Sequence, residues 1–480
     1  MCQKLTKPQK KHHHQIQLIM RNSLSFLIGI VAVSFVYSSC AVGPQYATPK
    51  QDLPKDFGIG SKTDSSALIK WFDLFQDTAL QTIIKTTLAN NKDLATAAAR
   101  VDEARFQLDV VRVNTLPSFG YEAQTGGGRA DNSALKVGGG FNSGVNKAFG
   151  VLNWELDLWG RLKRTTEAAR AQLLAQQGVT NALKVSLIAE VANAYFLLCD
   201  LDNRLQIAIR TVEDRKESTK IINERFKKGY VAELDKLQAM QQEAFAAALV
   251  PNIKRQITQV ENALNVLMAR MPQSITRGQL LFAQTLTPAI PVGLPSQLLE
   301  RRPDIVAAEQ SLKAQFQRIG IAKAAMFPTL SLTGVLGFAS PQLSSMLNGG
   351  FVANGFAGVT GPIFQFNQNK NRVLVEQKRT EQAQLQYEQT VIKAFADVNN
   401  ALVQNSTYAE EFARRKEQAD AAIKAYGLSK ARYEYGYTSY LEVLIQENSL
   451  FDAELQVSAL YQQRLNAMVN LYRSLGGGWE

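Results

Sequence analysis

Glu300, Asp304 and Glu309 gather around Arg301 and Arg302 in LLERRPDIVAAEQ, and carboxylates beside guanidinium groups are raw material for an acid/base site. The same spacing serves a helix start equally well. Acids in a first turn face the positive end of the helix dipole and pair with neighbouring arginines, so capping and ion pairing are expected here rather than catalysis. Histidine chemistry is closed to the body of the chain: His12, His13 and His14 all lie upstream of residue 40. The chain beyond that point has no Ser-His-Asp triad, no Cys-His pair and no imidazole metal site. Cys199, in AEVANAYFLLCDL, reads as a small buried apolar residue on a helix rather than a reactive thiol. The runs Gly126–Gly128 and Gly138–Gly140 lack the Lys-Ser or Lys-Thr of a phosphate loop and are expected in turns, while Gly476, Gly477 and Gly478 are expected to end a helix. The chain is expected not to be an enzyme, with no cofactor and no metal site.

The first forty residues set the compartment. From Met20 to Cys40, MRNSLSFLIGIVAVSFVYSSC joins basic Arg21 to an apolar run from Leu24 to Tyr37 and then to Ser38 and Ser39. That is a secretory signal pattern, too short for a comfortable membrane span. Small residues directly before Cys40 suit a bacterial lipoprotein signal, with Cys40 as the lipidated first residue of the mature chain, although Tyr37 stands where an aliphatic residue is usual. The residues before Met20 read as a misplaced start or a long basic lead-in. Residues 1–39 hold five of the 53 Lys and Arg and none of the 42 acids. The remainder carries 48 bases against 42 acids, a net +6 in place of the formal +11, and no nucleic-acid partner is expected.

Positioning is the work of a duplicated framework. RFKKGYVAELDKLQAMQQEAFAAALV from Arg225 repeats as RYEYGYTSYLEVLIQENSLFDAELQV from Arg432, so Gly229 and Tyr230 match Gly436 and Tyr437. Upstream, LPSFGYEAQTGGG from Leu116 has its counterpart in FPTLSLTGVLGFAS from Phe327, and the segment from Phe149 has one from Val359. Each half reads helix, strand, strand, long helix, tip, helix. The stretches from Leu162 to Lys228 and from Asn369 to Glu434 predict helices of about 100 Å at 1.5 Å per residue, which need neighbours along their length, as in coiled coils. Shorter helices are expected over Leu74–Thr115, Val231–Arg270, Ser296–Met326 and Thr438–Leu475, with Pro251 kinking or breaking the second. The division is 1–39 leader, 40–70 lipidated extended segment, 71–271 first repeat, 272–295 proline-rich linker, 296–475 second repeat and 476–480 tail.

The strands decide against a plain coiled-coil spacer. Phe119, Tyr121 and Ala123 alternate with polar residues or glycine, as do Leu330, Leu332, Leu336 and Phe338, and Leu152, Trp154, Leu156 and Leu158 alternate with Asn153, Glu155 and Asp157. One apolar and one polar face over about ten residues suits a membrane barrel with a wet lumen. Trp154, Trp159, Phe149 and Phe338 fit either an interfacial girdle or packing at the strand–helix junction. Four strands cannot close a barrel and open edges cannot face lipid, so closure needs several chains, with three giving twelve strands.

With CAVGPQYATP after the leader, WELDLWGR from Trp154, RRPDI followed by AAMFPTLSLTG, and a closing LYRSLGGGW, the chain resembles the outer-membrane efflux factors, the TolC-like family, in its OprM and NodT lipoprotein branch. The resemblance covers residues 40 to 480. It implies a mixed α and β fold: a homotrimeric, twelve-stranded β-barrel in outer-membrane lipid, continued by a long periplasmic α-helical barrel. As implied partners it brings a periplasmic adaptor (membrane fusion) protein and an RND-type inner-membrane transporter, with small molecules carried outward. It places the tips, Gly229, Tyr230 and Val231 with Gly436, Tyr437 and Thr438, against the adaptor, and a periplasmic gate at Tyr433, Leu441, Glu442 and Ile445. Glu442 lies six residues past Gly436, about 9 Å along the helix, with Leu441 and Ile445 on one face beside it. Three Glu442 copies around one axis would repel unless screened, which makes a cation-selective constriction with a dry seal. Ile445 replaces a second acid often found there, and Thr438 an arginine. The competing readings are a coiled-coil lipoprotein bridging the outer membrane and cell wall, and the exit duct of a type I protein-secretion system.

Overall fold

The structure, a computed structural model, describes residues 42–50, 52, 54, 71–130, 141–284, 295–340, 343–346 and 350–477. The leader and Cys40 lie outside the described residues. In chain order the elements are α1 (Trp71–Leu74), α2 (Thr78–Asn90), α3 (Lys92–Val113), β1 (Ser118–Ala130), β2 (Phe141–Leu156), α4 (Arg161–Lys227), α5 (Glu233–Leu267), α6 (Pro295–Arg301), α7 (Pro303–Ala324), β3 (Thr329–Ser340), β4 (Phe351–Thr360), α8 (Gln368–Glu434) and α9 (Tyr440–Ser474). The two longest helices have 67 residues each, and the helix after each has 35.

Several breaks fall elsewhere than expected. Pro251 does not end α5; it sits inside the helix on an exposed face, where the carbonyl four residues back can take water instead of the missing N–H. The helical stretch from Leu74 is divided at Asp77 and again at Asn91, and the one from Ser296 at Arg302. Asn91 caps twice over: its Oδ1 accepts from Leu94 N–H at 2.9 Å, and its Nδ2 donates at 2.9 Å to the Leu267 carbonyl at the end of α5. Gly126–Gly128 are not in a turn. They pair within β1 against Val145, Gly144 and Ser143 of β2.

Two compact units are distinguished by their contacts. The first takes in Ala104–Leu173 and Ser311–Ala383. Its centre is one antiparallel sheet of strand order β1-β2-β3-β4, two hairpins side by side whose outer strands β1 and β4 have no further strand beside them among the described residues. Below the sheet, Asp157 accepts from Leu162 N–H (3.1 Å) and Lys163 N–H (2.7 Å), capping α4, and Glu155 takes the Arg161 guanidinium with both oxygens at 2.7 Å. Trp159 stacks on Phe327 at 4.7 Å and donates from Nε1 to the Pro328 carbonyl at 2.7 Å. Trp154 donates likewise to the Thr115 carbonyl at 3.1 Å. Both tryptophans therefore fasten strand ends to the chain around them.

The second unit takes in Leu174–Gln310 and Gln384–Glu480 with the segment up to Glu103. Its core joins Leu74, Phe75, Leu80 and Ile84 to Tyr195, Leu198 and Leu201 of α4, Leu264 of α5, and Leu465 and Met468 of α9. Among the described residues, α4 alone holds an 18-residue window apolar enough to cross a membrane. Much of that face is packed in this core, which accounts for its composition. Gly178, the one glycine of that helix, lies against α7: a Cβ there would come within 2.9 Å of the Pro303 carbonyl and of Ala307 Cβ. Cys199 is buried, and burial pushes its thiol up to about 12, so it stays protonated and inert.

The part of the inter-repeat segment that the structure describes is tied down. Buried Asp77 accepts from Ala79 N–H at 2.8 Å at the start of α2, from the Tyr195 hydroxyl at 2.8 Å, from Gln279 N–H at 2.9 Å and from Gln284 Nε2 at 2.7 Å. Burial raises this carboxyl, but those donors outweigh it and hold Asp77 below its ordinary value. Gly278 is required at the crossing, because a Cβ there would stand 2.1 Å from Asp77 Oδ1.

Candidate functional site

The two helix ends that the repeat singles out close in the same way. Past α4, Tyr230 N–H donates to the Arg225 carbonyl (3.0 Å) and Gly229 N–H to the Phe226 carbonyl (2.8 Å); past α8, Tyr437 N–H donates to Arg432 (2.8 Å) and Gly436 N–H to Tyr433 (3.0 Å). These are paired Schellman turns, and each needs a left-handed residue at its corner. Gly229 has φ +75° and Gly436 φ +78°, and a Cβ placed on either would meet nothing within 4 Å. Backbone conformation, not crowding, selects glycine there. Tyr230 and Tyr437 are exposed, and Val231 packs partly against the cluster below.

That cluster is Ile222, Ala239, Tyr440, Val443 and Leu444, with Val231, Tyr426 and Tyr433 against it, so residues of α4, α5, α8 and α9 share one apolar plug just behind the tips. Tyr433 is held from two sides. Its ring lies 5.6 Å from that of Tyr440 and under the Arg225 guanidinium, 4.8 Å from the centroid. Its hydroxyl is buried without a hydrogen-bond partner among the described residues.

Glu442 stands in the first turn of α9, where its charge faces the positive end of the helix dipole. The Thr438 hydroxyl donates to its Oε2, and Arg432 Nη1 lies 3.9 Å from its Oε1. Thr438 and Arg432 thus occupy Glu442 from its own hairpin. Leu441 and Ile445, 49% and 52% exposed, are turned away from the plug that buries Tyr440, Val443 and Leu444. Of the four expected gate residues, Leu441, Glu442 and Ile445 therefore share the open face of α9, while Tyr433 belongs to the plug.

Deeper in the same bundle is a charge that the sequence did not reveal. Arg215 of α4 is 2% exposed; it donates to the Gln242 carbonyl (2.9 Å) and Asn448 Oδ1 (2.7 Å), and its Nε stands 3.6 Å from Glu447 Oε1. Phe451 covers it, 5.4 Å from ring centroid to guanidinium carbon. Burial raises the Glu447 carboxyl, with Arg215 pulling the other way. The two residues sit on different helices, far apart in the chain, and only long-range contact makes them a pair.

The acid and arginine cluster of the sequence resolves into an anchor. Arg302 donates to Asp304 (2.7 Å) and Asp397 (3.1 Å) and to the carbonyls of Ser474 (3.2 Å) and Ala394 (3.3 Å), while Asp304 Oδ1 accepts from Ile305 N–H at 3.0 Å at the start of α7. A guanidinium spent on two carboxylates and two helix carbonyls is tied up in structure. Gly476, φ +82°, ends the run past α9 against the Arg301 and Arg302 backbone.

The family profile described as outer membrane efflux protein matches residues 83–270 and 294–477. Outer membrane protein OprJ of Pseudomonas aeruginosa is 31% identical over 464 residues, spanning 95% of this chain and 96% of its own. The probable efflux pump outer membrane protein TtgC of Pseudomonas putida is 30% identical over 463 residues, 94% of this chain and 96% of its own. Among solved structures, the open state of the Neisseria gonorrhoeae MtrE outer membrane channel superposes with a TM-score of 0.83 at 31% identity, covering 92% of this chain and 99% of MtrE.

Proposed function

The chain belongs to the outer membrane efflux protein family, and from that membership we propose that it is the exit duct of a tripartite efflux system. Three copies close twelve strands into an outer-membrane barrel, and their long helices continue it through the periplasm. The Gly229 and Gly436 tips meet a periplasmic adaptor, and an RND-type inner-membrane transporter supplies energy and selects the small molecules that pass. Residues 71–271 and 296–475 act as two structural repeats, with 272–295 joining them and 476–480 as a tail. Cys40, once residues 1–39 are removed, carries the lipid at the head of segment 40–70; mass spectrometry of the mature N-terminus tests this, and an unlipidated end at another residue refutes it.

The observation that carries the reading is the pairing of an open four-stranded sheet with two 67-residue helices that end in the same glycine turn. An isolated sheet with two bare edges is not tolerated in lipid, and an isolated helix of that length is not stable without neighbours. Several copies satisfy both demands at once. Purified protein should run as heat-resistant trimers that conduct ions in planar bilayers. Trimers that never conduct would leave the scaffold reading in place.

A further inference from the structure

Val42 donates its N–H to the Trp159 carbonyl at 3.2 Å, which sets the start of the described chain against the base of the sheet, between the end of β2 and the start of α4. The residues that follow are fitted to α4 and α7. Gly43 has φ +123°, a backbone state suited to glycine, and a Cβ there would stand 3.0 Å from Gly320 Cα and 3.3 Å from Arg164 Nη2. Gly320 in turn makes room for Arg164, because a Cβ on it would fall 2.1 Å from Arg164 Cδ. The Tyr46 ring meets Phe316 of α7 edge-on at 5.5 Å.

Arg164, held by this segment, is only 6% exposed, yet among the described residues it pairs with no carboxylate. Its Nη1 donates to Gln317 Oε1 at 2.8 Å and its Nη2 to the Pro44 carbonyl at 3.2 Å, while its Nε has no partner among the described residues. A guanidinium offers more N–H groups than these contacts use, and a buried cation without a counter-ion is costly. Such a site calls for an anion. Space for one adjoins it: a cavity of about 250 Å³ walled by Lys163, Arg164, Glu167 and Gln317, with Gly43 and Tyr46 of the N-terminal segment beside them. The acids nearest in sequence are already engaged, Glu155 on Arg161 and Asp157 on the N–H groups of Leu162 and Lys163. Lys163 and Arg164 against Glu167 leave the cavity wall with one positive charge in excess.

We propose that this cavity receives the headgroup of a phospholipid, a phosphoethanolamine, with its phosphate on Lys163 and Arg164 and its ammonium on Glu167. The proposal rests on the outer-membrane reading above and adds a lipid site to it. If the sheet spans the hydrocarbon, the first turn of α4 stands where the polar headgroup layer begins, and a basic pocket at that depth meets phosphate. Phosphate accepts charge-assisted hydrogen bonds from both cations. The cavity is smaller than the roughly 300–1,000 Å³ of sites for drug-sized ligands, so it takes a headgroup and leaves the acyl chains outside. Glu167 supplies the selectivity. A phosphoglycerol headgroup would leave that carboxylate facing an anion, and the quaternary ammonium of phosphocholine has no N–H to donate to it.

Native mass spectrometry of delipidated, full-length trimers in detergent tests this, with phosphatidylethanolamine, phosphatidylglycerol or phosphatidylcholine added. The parent should take up one phosphatidylethanolamine per chain, about tenfold more tightly than either other lipid, which is the scale of one hydrogen bond to a charged group. Lys163→Gln should weaken the uptake of all three lipids. Glu167→Gln should bring phosphatidylethanolamine down to the level of phosphatidylglycerol. Arg164 is left in place because it also holds Pro44. In the parent, with no substitution, water-soluble glycerophosphoethanolamine should displace the bound lipid, and inorganic phosphate should do so about tenfold less well because it lacks the ammonium. Equal uptake of the three lipids by the parent, unchanged uptake in both variants, or equal displacement by inorganic phosphate overturns the headgroup site while the channel stands. Failure of the parent to form conducting trimers overturns the channel itself.

Discussion

Arg225 and Tyr433 meet across the two hairpin ends, the guanidinium of the last turn of α4 lying 4.8 Å from the ring centroid of the last turn of α8. A cation over an aromatic face contributes about 0.5–2 kcal/mol, more as water is excluded, and here the Tyr433 ring also packs against Tyr440. Because the contact ties one hairpin to the other, it should hold the tips closed. Arg225→Ala and Tyr433→Leu are each expected to raise the open probability of single channels in planar bilayers, and the double variant to open no further than either single. Additive effects would mean that the two residues act separately.

The open face of α9 makes a prediction of the opposite kind, since Leu441 and Ile445 stay half-exposed in their own chain. If these side chains form the dry part of a constriction, Leu441→Ala with Ile445→Ala should raise conductance with ion selectivity nearly unchanged. Glu442→Gln should weaken cation selectivity. Arg432, 3.9 Å from Glu442, offsets part of its charge, so Arg432→Ala should strengthen that selectivity. A conductance and a reversal potential identical to those of the parent in all three variants would move the gate elsewhere.

The Arg215 and Glu447 pair should behave as buried pairs do. Removing one partner strands the other charge, at a cost of roughly 3–5 kcal/mol, whereas replacing both with apolar residues is near neutral. Arg215→Met should therefore destabilise strongly, and Arg215→Met with Glu447→Leu should recover most of the loss in thermal unfolding. The pH dependence comes from burial, which raises the folded-state pKa of Glu447. A carboxyl so raised contributes its stability below its unfolded pKa and loses it as pH rises through the folded one. Without Arg215 to pull it back, that loss should be steeper: Arg215→Met should be most stable in acid and weaken toward neutral pH, while the double variant stays flat over the same range.

Legibility in the sequence tracks the range of the interactions involved. Alternation in Phe119, Tyr121 and Ala123 and in Leu330, Leu332 and Leu336 is local, and it marks β1 and β3 correctly. Glycine is ambiguous: Gly126–Gly128 carry the composition of a turn but lie in β1. Pro251 breaks less than its residue type suggests, because one missing N–H on an exposed helix face leaves a carbonyl that water can satisfy. Asp77 shows the opposite limit. Its cap to Ala79 is local, but the donors that make it a junction, Tyr195, Gln279 and Gln284, come from distant segments and leave no mark near residue 77. Of the candidate site, the glycine corners are legible from the repeat alone, whereas Arg225 meets Tyr433, and Arg215 meets Glu447, only when the hairpins pack side by side.

The tips separate backbone from surface most cleanly. At Gly229 a Cβ meets nothing within 4 Å, so any substitution there feels only the left-handed backbone, φ +75°, at about 1–2 kcal/mol for most residues and less for asparagine. That is small beside a core spread over two 67-residue helices, and oligomers should survive it. Gly229→Asn should therefore transport as the parent does. Gly229→Trp places a large ring on the exposed corner where the adaptor is proposed to sit, and should abolish efflux while trimer yield and bilayer conductance remain. Gly436→Trp should do the same, since its turn has the same hydrogen bonds and φ +78°. Intact efflux in both tryptophan variants, with adaptor cross-linking at the parent level, would make the tips plain turns and place the docking surface elsewhere. Loss of efflux in Gly229→Asn as well would instead identify the turn geometry, rather than its open surface, as the feature the adaptor reads.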